Sequence, residues 1–458
     1  MKKGQVYEGV VERVDFPNLG KVSIAGEEKR LVVKNVIPGQ RVQVVCQKVR
    51  DEQAKGRLLE VLQHSPLETR KPVCSIFPAC GGCMYQTMSY DSQLDMKEQQ
   101  VKDILNQVVD GDYLFEGILP SPKKFAYRNK MEFSFGDDHK DGPLTLGLHK
   151  KSSTYDILTA DDCKLAHIDM TDVLTCVLAY FQEKKVGYYK KMQHTGFLRH
   201  LLLRRGENTG DLLVNLVTTG QEEHDLKPLV DRLLALPLEG RIVGVIHILN
   251  DALSDVVQCD AMELLFGRAY LMERLLGLSF KITPFSFFQP NTKGAEIIYR
   301  KVQEYLGDVQ GQVVYDLFSG TGTISQVLAK KARKVYGIEI VEEAVLAARE
   351  NAKENGLDNC IFIAGDVFEQ LEEILEKPDV LVLDPPRDGI HPKALPKIIN
   401  IGCDRIVYVS CKVTSLARDL EGLQAAGYRV EKLCLVDQFC HTVHIECVTL
   451  LTRSEATQ

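Results

Sequence analysis

The sequence predicts an α/β protein in three parts: a C-terminal doubly wound, Rossmann-like domain, a mixed α+β region before it, and an OB-like β-barrel at the N-terminus. Three observations carry this. Beyond Val313, apolar strand-like runs alternate with helical stretches, the pattern of a parallel sheet whose crossovers are helices. The first of those runs leads into a glycine-rich turn, Gly320-Thr321-Gly322, where the start of a helix can receive a ligand. Residues 4 to about 62 instead show short β-type runs separated by Pro17-Asn18 and Pro38-Gly39, the punctuation of a small barrel.

At 458 residues the chain exceeds one typical core, and domain boundaries are drawn at 1–62, 63–285 and 286–458. A formal charge of −7 argues against coating nucleic acid through overall charge, yet leaves room for a local basic face. Met1-Lys2-Lys3 leads into polar residues, and no stretch has the uninterrupted apolar length that crosses a bilayer. A cytoplasmic protein with no membrane partner is therefore expected, with a monomer as its state. In that compartment the 13 cysteines do not read as a disulfide framework, so their clusters point to metal or catalysis.

In chain order, the barrel strands are clearest at Val6-Tyr7-Glu8-Gly9-Val10-Val11 and Arg41-Val42-Gln43-Val44-Val45. Cys74, Cys80 and Cys83 follow, with Gly81-Gly82 between the last two. Apolar residues at Leu94, Val101, Ile104, Leu105 and Val108 predict a helix over 90–109. The central region reads as strands over 131–135, 201–203 and 212–217 with a helix over 167–183. Between 184 and 205, Lys184, Lys185, Lys190, Lys191, Arg199, Arg204 and Arg205 interleave with Tyr188, Tyr189 and Phe197, without an acidic residue. Cations for phosphates and rings for bases suit single-stranded nucleic acid, the alternative being a solvated face. Phe285-Ser286-Phe287-Phe288-Gln289-Pro290-Asn291 marks the boundary to the last domain. Its strands are expected at 313–317, 334–338, 380–383 and 405–410, and its helices near 325–331 and over 341–355.

In the turn at 316–324 (Asp-Leu-Phe-Ser-Gly-Thr-Gly-Thr-Ile), Gly320 and Gly322 let backbone approach a ligand closely. Glu339 stands roughly 20 residues on, at the next strand end, where a carboxylate accepts bonds from ribose hydroxyls. Nicotinamide and S-adenosylmethionine sites share that geometry, but Thr323 occupies the third glycine position of the dinucleotide motif. Asp366 sits where an adenine-facing residue follows the third strand, and equally where a helix N-cap would. Asp384-Pro385-Pro386-Arg387 holds Asp384 extended over the sheet edge. This pattern resembles the fourth motif of S-adenosylmethionine-dependent methyltransferases. Arg387 replaces the aromatic residue of the amino-methylating branch, which turns the expectation from nitrogen to ring carbon. Cys411 ends the apolar run Ile406-Val407-Tyr408-Val409-Ser410; a thiol there is placed for nucleophilic work, the alternative being a small buried hydrophobe. Carbon 5 of a pyrimidine becomes nucleophilic only after a thiolate adds at carbon 6, and a base must then remove the carbon 5 proton. Glu446, in His444-Ile445-Glu446-Cys447-Val448, supplies such a base if burial raises its pKa.

Taken in this order, the motifs resemble the RNA uracil-5-methyltransferases of the TrmA/RumA type over nearly the whole chain. The resemblance implies that Gln289, Phe318, Glu339 and Asp384 line the S-adenosylmethionine site, that Cys411 is the nucleophile and that Glu446 accepts the proton. It also implies that Cys74, Cys80, Cys83 and Cys163 hold a [4Fe–4S] cluster; on spacing alone zinc is equally allowed. The N-terminal barrel is similar to the family's TRAM domain. Barrel and cluster together point to 23S ribosomal RNA as substrate, with transfer RNA as the alternative; a non-catalytic RNA-binding assembly factor is the rival of another class, against which the presence of both Cys411 and Glu446 argues. The basic stretches 123–130 and 184–205 would then hold single-stranded RNA whose target uridine leaves its stack to reach Cys411.

Overall fold

The computed structural model describes residues 1–50, 54–254, 256–371 and 374–453. Five strands, β1 (Val6–Asp15), β2 (Leu19–Ser23), β3 (Leu31–Val33), β4 (Arg41–Val49) and β5 (Ala54–Gln63), close into a barrel of order β1-β2-β3-β5-β4. Alternate residues such as Val11, Val22, Val42 and Val44 point inward and are fully buried, the period of two that a small barrel requires. Helix α1 (Tyr90–Leu105) starts where the Ser89 hydroxyl accepts from the Ser92 N–H at 3.1 Å. It ends earlier than the expected 109, in a turn closed by the Val108 and Val109 N–H groups on the Leu105 carbonyl. Strand β6 (Leu114–Leu119) follows.

The central region holds β7 (Lys130–Gly136), β8 (Thr145–His149), β9 (Ile157–Thr159), α2 (Ile168–Lys184), β10 (Leu198–Arg205), β11 (Asp211–Thr218), α3 (Lys227–Leu234), β12 (Arg241–Leu249) and β13 (Ala261–Gly267). Its sheet has seven strands in the order β13-β12-β11-β10-β7-β8-β9. The basic stretch 184–205 does not form one solvent face, contrary to the expectation. β10 lies inside the sheet, paired to β7 and β11, so its arginines are carried into the core. Arg199 and Arg204 are each 3% exposed. The Arg199 guanidinium donates to the carbonyls of Asn250, Ala252 and Ser254, and Arg204 donates to those of Pro284 and Ser286. A buried cation without such acceptors would be untenable. Arg205 pairs with Asp169 at 2.8 Å, while Tyr189 and Phe197 are buried.

After the hairpin of β14 (Leu271–Leu275) and β15 (Leu278–Ile282), the chain winds through α4 (Thr292–Leu306), β16 (Val313–Leu317), α5 (Thr323–Ala329), β17 (Lys334–Glu339), α6 (Glu342–Glu354), β18 (Cys360–Ala364), α7 (Val367–Gln370), β19 (Val380–Leu383), α8 (Ala394–Asn400), β20 (Arg405–Ser410), α9 (Val413–Ala425), β21 (Tyr428–Val436) and β22 (Glu446–Arg453). The sheet order is β18-β17-β16-β19-β20-β22-β21-β6. β16 to β20 are parallel, and β16 and β19 are buried throughout, as strands covered on both faces must be. Two features depart from a simple doubly wound sheet. β22 runs antiparallel between β20 and β21, and residues 114–119, far earlier in sequence, add β6 at the edge.

Candidate active site

The parallel strands end in one cleft of about 1710 Å³, and all seven residues expected to bind the cofactor or act in catalysis line it: Gln289, Phe318, Glu339, Asp366, Asp384, Cys411 and Glu446. Pockets for a single small molecule are typically ~300–1,000 Å³. This cleft has room for a cofactor and a nucleotide together.

Strand ends place most of these groups. Phe318 follows β16 in a left-handed conformation, φ 68°, a strained state for a bulky side chain that is held because the Phe318 and Ser319 N–H groups both donate to the Ile338 carbonyl. The chain then turns through Gly320 and enters α5 at Gly322, where an added Cβ would meet the Phe362 ring at 2.5 Å. The Glu339 carboxylate, at the end of β17, accepts the Gly320 and Val341 N–H groups at 3.0 Å each. Asp366 stands between β18 and α7 at the N-cap position, where its carbonyl accepts the Glu369 and Gln370 N–H groups. It lines the cleft as well.

Glu446 arrives by a different route. In the β20–β22 ladder Ser410 faces Cys447, so continuing that antiparallel register by one residue sets Glu446 opposite Cys411. The antiparallel return of β22 is what brings a late carboxyl beside a thiol at the end of a parallel strand.

The electrostatics of this wall are dominated by buried acids. Burial, and then Asp316, push Asp384 up to about 7. Asp316 is itself pushed up to about 7 by burial, against the Ser325 hydroxyl that donates to it. Its other oxygen is buried without a partner among the described residues. Glu446, 3% exposed, is raised well above the carboxylate range by burial and by Asp384, with Arg387 opposing. Burial, Glu446 and Asp384 push the Cys411 thiol up to about 11, and Arg387 pulls it down. A cluster of acids raised by burial beside a thiol raised likewise is suited to a cationic ligand, whose charge would favour every ionised form at once. The orphaned Asp316 oxygen and the glycine turn thus fit a sulfonium cofactor.

Several further residues of this wall were not among the expected catalytic or cofactor-binding groups. Arg387 donates to the His444 imidazole at 3.0 Å, and burial followed by Arg387 lowers His444 to about 4, which keeps it neutral. Arg128, from the basic run 123–130, reaches the cleft. In that run Tyr127 is buried, its hydroxyl donating to the Cys440 carbonyl, and Phe125 stacks on His441 at 4.3 Å. The signal for Arg387 and His444 was their place inside recognised motifs; Arg128 had none beyond charge.

Cys74, Cys80, Cys83 and Cys163 come together around a second, small cavity, with Arg128 again in its lining. Burial comes first and the neighbouring Cys163 thiol contributes in raising Cys74, Cys80 and Cys83, the last to about 11. The donor set is that of a thiolate metal site. The cavity, however, is about 30 Å³, close to one water's share of liquid volume. Among the described residues no group of three or more His, Cys, Asp or Glu side chains is arranged to hold a metal ion. No described helix is long and apolar enough to cross a membrane.

With this geometry in hand, comparison with known proteins is informative. The family model for tRNA (uracil-5-)-methyltransferase matches residues 89–454. A Clostridium tetani protein described as an uncharacterized RNA methyltransferase is 45% identical over 456 residues, covering 99% of both chains. One from Caldanaerobacter subterraneus with the same description is 46% identical over 454 residues, covering 99% of this chain and all of its own. Among solved structures, the Pyrococcus abyssi tRNA (uracil-54, C5)-methyltransferase in complex with S-adenosyl-L-homocysteine superposes with a TM-score of 0.76 at 27% identity, over 97% of this chain and 99% of that one. The chain belongs to the tRNA (uracil-5-)-methyltransferase family and is an S-adenosylmethionine-dependent RNA methyltransferase of the TrmA/RumA type.

Proposed function

We propose that this protein methylates carbon 5 of uridines in 23S ribosomal RNA, with Cys411 as nucleophile and Glu446 as proton acceptor. The observation that carries the reading is the convergence of Cys411, Glu446, Asp384 and Gln289 on the cleft that also receives the glycine turn and Glu339. When bound, S-adenosylmethionine supplies an electrophilic methyl group on a sulfonium. Gln289, Phe318, Glu339, Asp366 and Asp384 would line its site, and Gln289 and Asp384 would also meet polar groups of the uracil. Beside the sulfonium charge, ionising Asp384 and Glu446 in their buried setting would cost less. The Cys411 sulfur adds to carbon 6 of a flipped uracil, moving the ring π electrons onto carbon 5 and the carbonyl. Carbon 5 takes the methyl group, Glu446 removes the carbon 5 proton, and the carbon–sulfur bond breaks with its electron pair returning to Cys411 as the thiolate. Arg387 is the cation that favours the thiolate during this sequence.

The same reading assigns a [4Fe–4S] cluster to Cys74, Cys80, Cys83 and Cys163. Their convergence on one cavity from distant segments supports it. The cluster would supply a rigid cross-link and no step of the chemistry. The barrel 1–62 acts as a TRAM domain delivering RNA, 63–285 as the RNA-organising domain and 286–458 as the methyltransferase domain of a cytoplasmic monomer.

A second reading, the same reaction on transfer RNA, is favoured by the Pyrococcus abyssi neighbour. That enzyme is matched over 99% of its length, so a barrel-bearing architecture of this size does not by itself select ribosomal RNA. Mapping 5-methyluridine in ribosomal and transfer RNA from cells with and without this protein decides between them. Loss confined to 23S RNA supports the first reading, and loss confined to transfer RNA overturns it.

A further inference from the structure

Behind the cleft wall, and outside its lining, Gln438 is wholly buried and donates from Nε2 to the Gln289 Oε1 at 2.6 Å. Gln289 does line the cleft. Because its oxygen is taken, its NH2 is the end left for a ligand, and among the described residues no protein acceptor bonds it.

The neighbouring amides form a set of donors that starts on the backbone. The Gly294 N–H can only donate, and it does so to Asn291 Oδ1 at 3.0 Å. Asn291 must therefore present its NH2 on the other side, where it donates to the Ser121 hydroxyl and to the Gln438 carbonyl. That NH2 and Gln438 Oε1 both crowd the Gly294 Cα: a Cβ built there would lie 3.1 Å from one and 3.0 Å from the other. On this side of Gly294 the Gln438 side chain presents its oxygen, and its NH2 is the end that bonds Gln289. Gln438 Nε2 is then turned toward Gln289, and the Gln289 NH2 toward the cleft. Gln438 Oε1 itself has no hydrogen-bond partner among the described residues, a cost retained in a buried network.

We propose that Gln438 is a positioning residue that holds the Gln289 carboxamide as a donor toward the cleft, so that the site accepts a pyrimidine with a carbonyl at carbon 4 and rejects one with an amino group there. This rests on the uracil reading above. A base with carbon 6 at Cys411 and carbon 5 toward the methyl donor has its carbon 4 substituent as the polar group next to the reacting bond. A fixed N–H donor bonds the uracil oxygen and strengthens as the adding thiolate pushes charge onto it. The cytosine amino group would face another donor. A carboxamide free to turn over would accept both, so the discrimination resides in the group that prevents the turn.

The test is the rate of covalent adduct formation at Cys411 with short RNAs carrying either 5-fluorouridine or 5-fluorocytidine at the target position. The substitution Gln438→Met keeps length and removes the donor. It should lower the uridine-to-cytidine rate ratio about tenfold or more. In a Gln289→Met background, the same substitution should change the ratio no further, since the two act as one unit. An unchanged ratio in Gln438→Met overturns the proposal, as does an equal fall in both backgrounds. If that variant fails to fold, Gln438→Asn, polar but too short to reach Gln289, must show the same loss. Absence of any adduct in the unaltered protein would instead remove the uracil reading, whereas an adduct with an unmoved ratio removes only the role of Gln438.

Discussion

Two groups of thiols lie on either side of Arg128, which lines both the cleft holding Cys411 and the small cavity of Cys74, Cys80, Cys83 and Cys163. Burial raises the pKa in both places, but the neighbours differ. Cys411 faces two carboxyls and a guanidinium, Glu446, Asp384 and Arg387. Cys80 and Cys83 face chiefly other thiols, with Lys151 or Arg128 as the opposing cation. A thiol beside a proton acceptor can attack and be released, whereas thiols that repel one another on ionising call for a shared positive charge. Context, more than depth, separates a reagent from a ligand set.

The sharpest way to break this comparison is Cys411→Ala. Methyl transfer should fall by about 10³-fold or more, with no change in whatever iron Cys74, Cys80, Cys83 and Cys163 prove to bind; retained transfer would contradict the assignment. Glu446→Gln should leave attack intact but slow release, cutting turnover by about 10²–10³-fold. Denaturation-resistant protein–RNA complexes should accumulate, and a fully active variant would remove Glu446 from the mechanism. On the other side of Arg128, anaerobically purified protein should be brown with about four irons per chain. Cys163→Ser should lose that colour, and colourless protein with stoichiometric zinc would refute the cluster.

The smallest effect concerns stability. Asp384 has a folded pKa of about 7, above its unfolded value of about 3.9. It therefore contributes stability that is fully present below about pH 4 and is lost as pH rises through about 7. Asn is neutral throughout, so the cofactor-free Asp384→Asn variant should gain melting temperature over the unaltered protein between pH 5 and pH 8, by a few degrees. A difference that stays flat with pH would mean that Asp384 is ionised in the folded state.

The C-terminal sheet was legible because its buried parallel strands read as unbroken apolar runs and its site residues sit at their ends. Strands 313–317 and 380–383 coincide with β16 and β19, and expected helix ends lie within a few residues of α5 and α6. Periodicity could not foresee partners distant in sequence. Nothing local in 114–119 announces an edge strand beside β21, and nothing in 184–205 states that β10 is interior. Charge alone made Arg199 and Arg204 look like an RNA face, when each is satisfied by backbone carbonyls that only the fold brings near. Gln438 is the extreme case. Its bond to Gln289 spans 149 residues, and its meaning depends on which end of an amide faces a cleft.

The account turns on Cys411 as the atom that adds to the base. Incubating the full-length protein with 5-fluorouridine RNA and S-adenosylmethionine, then mapping the trapped adduct by mass spectrometry of the digested complex, tests that directly. The account predicts one RNA–peptide linkage, at Cys411. A linkage at another cysteine, or methyl transfer with no adduct at all, would contradict it.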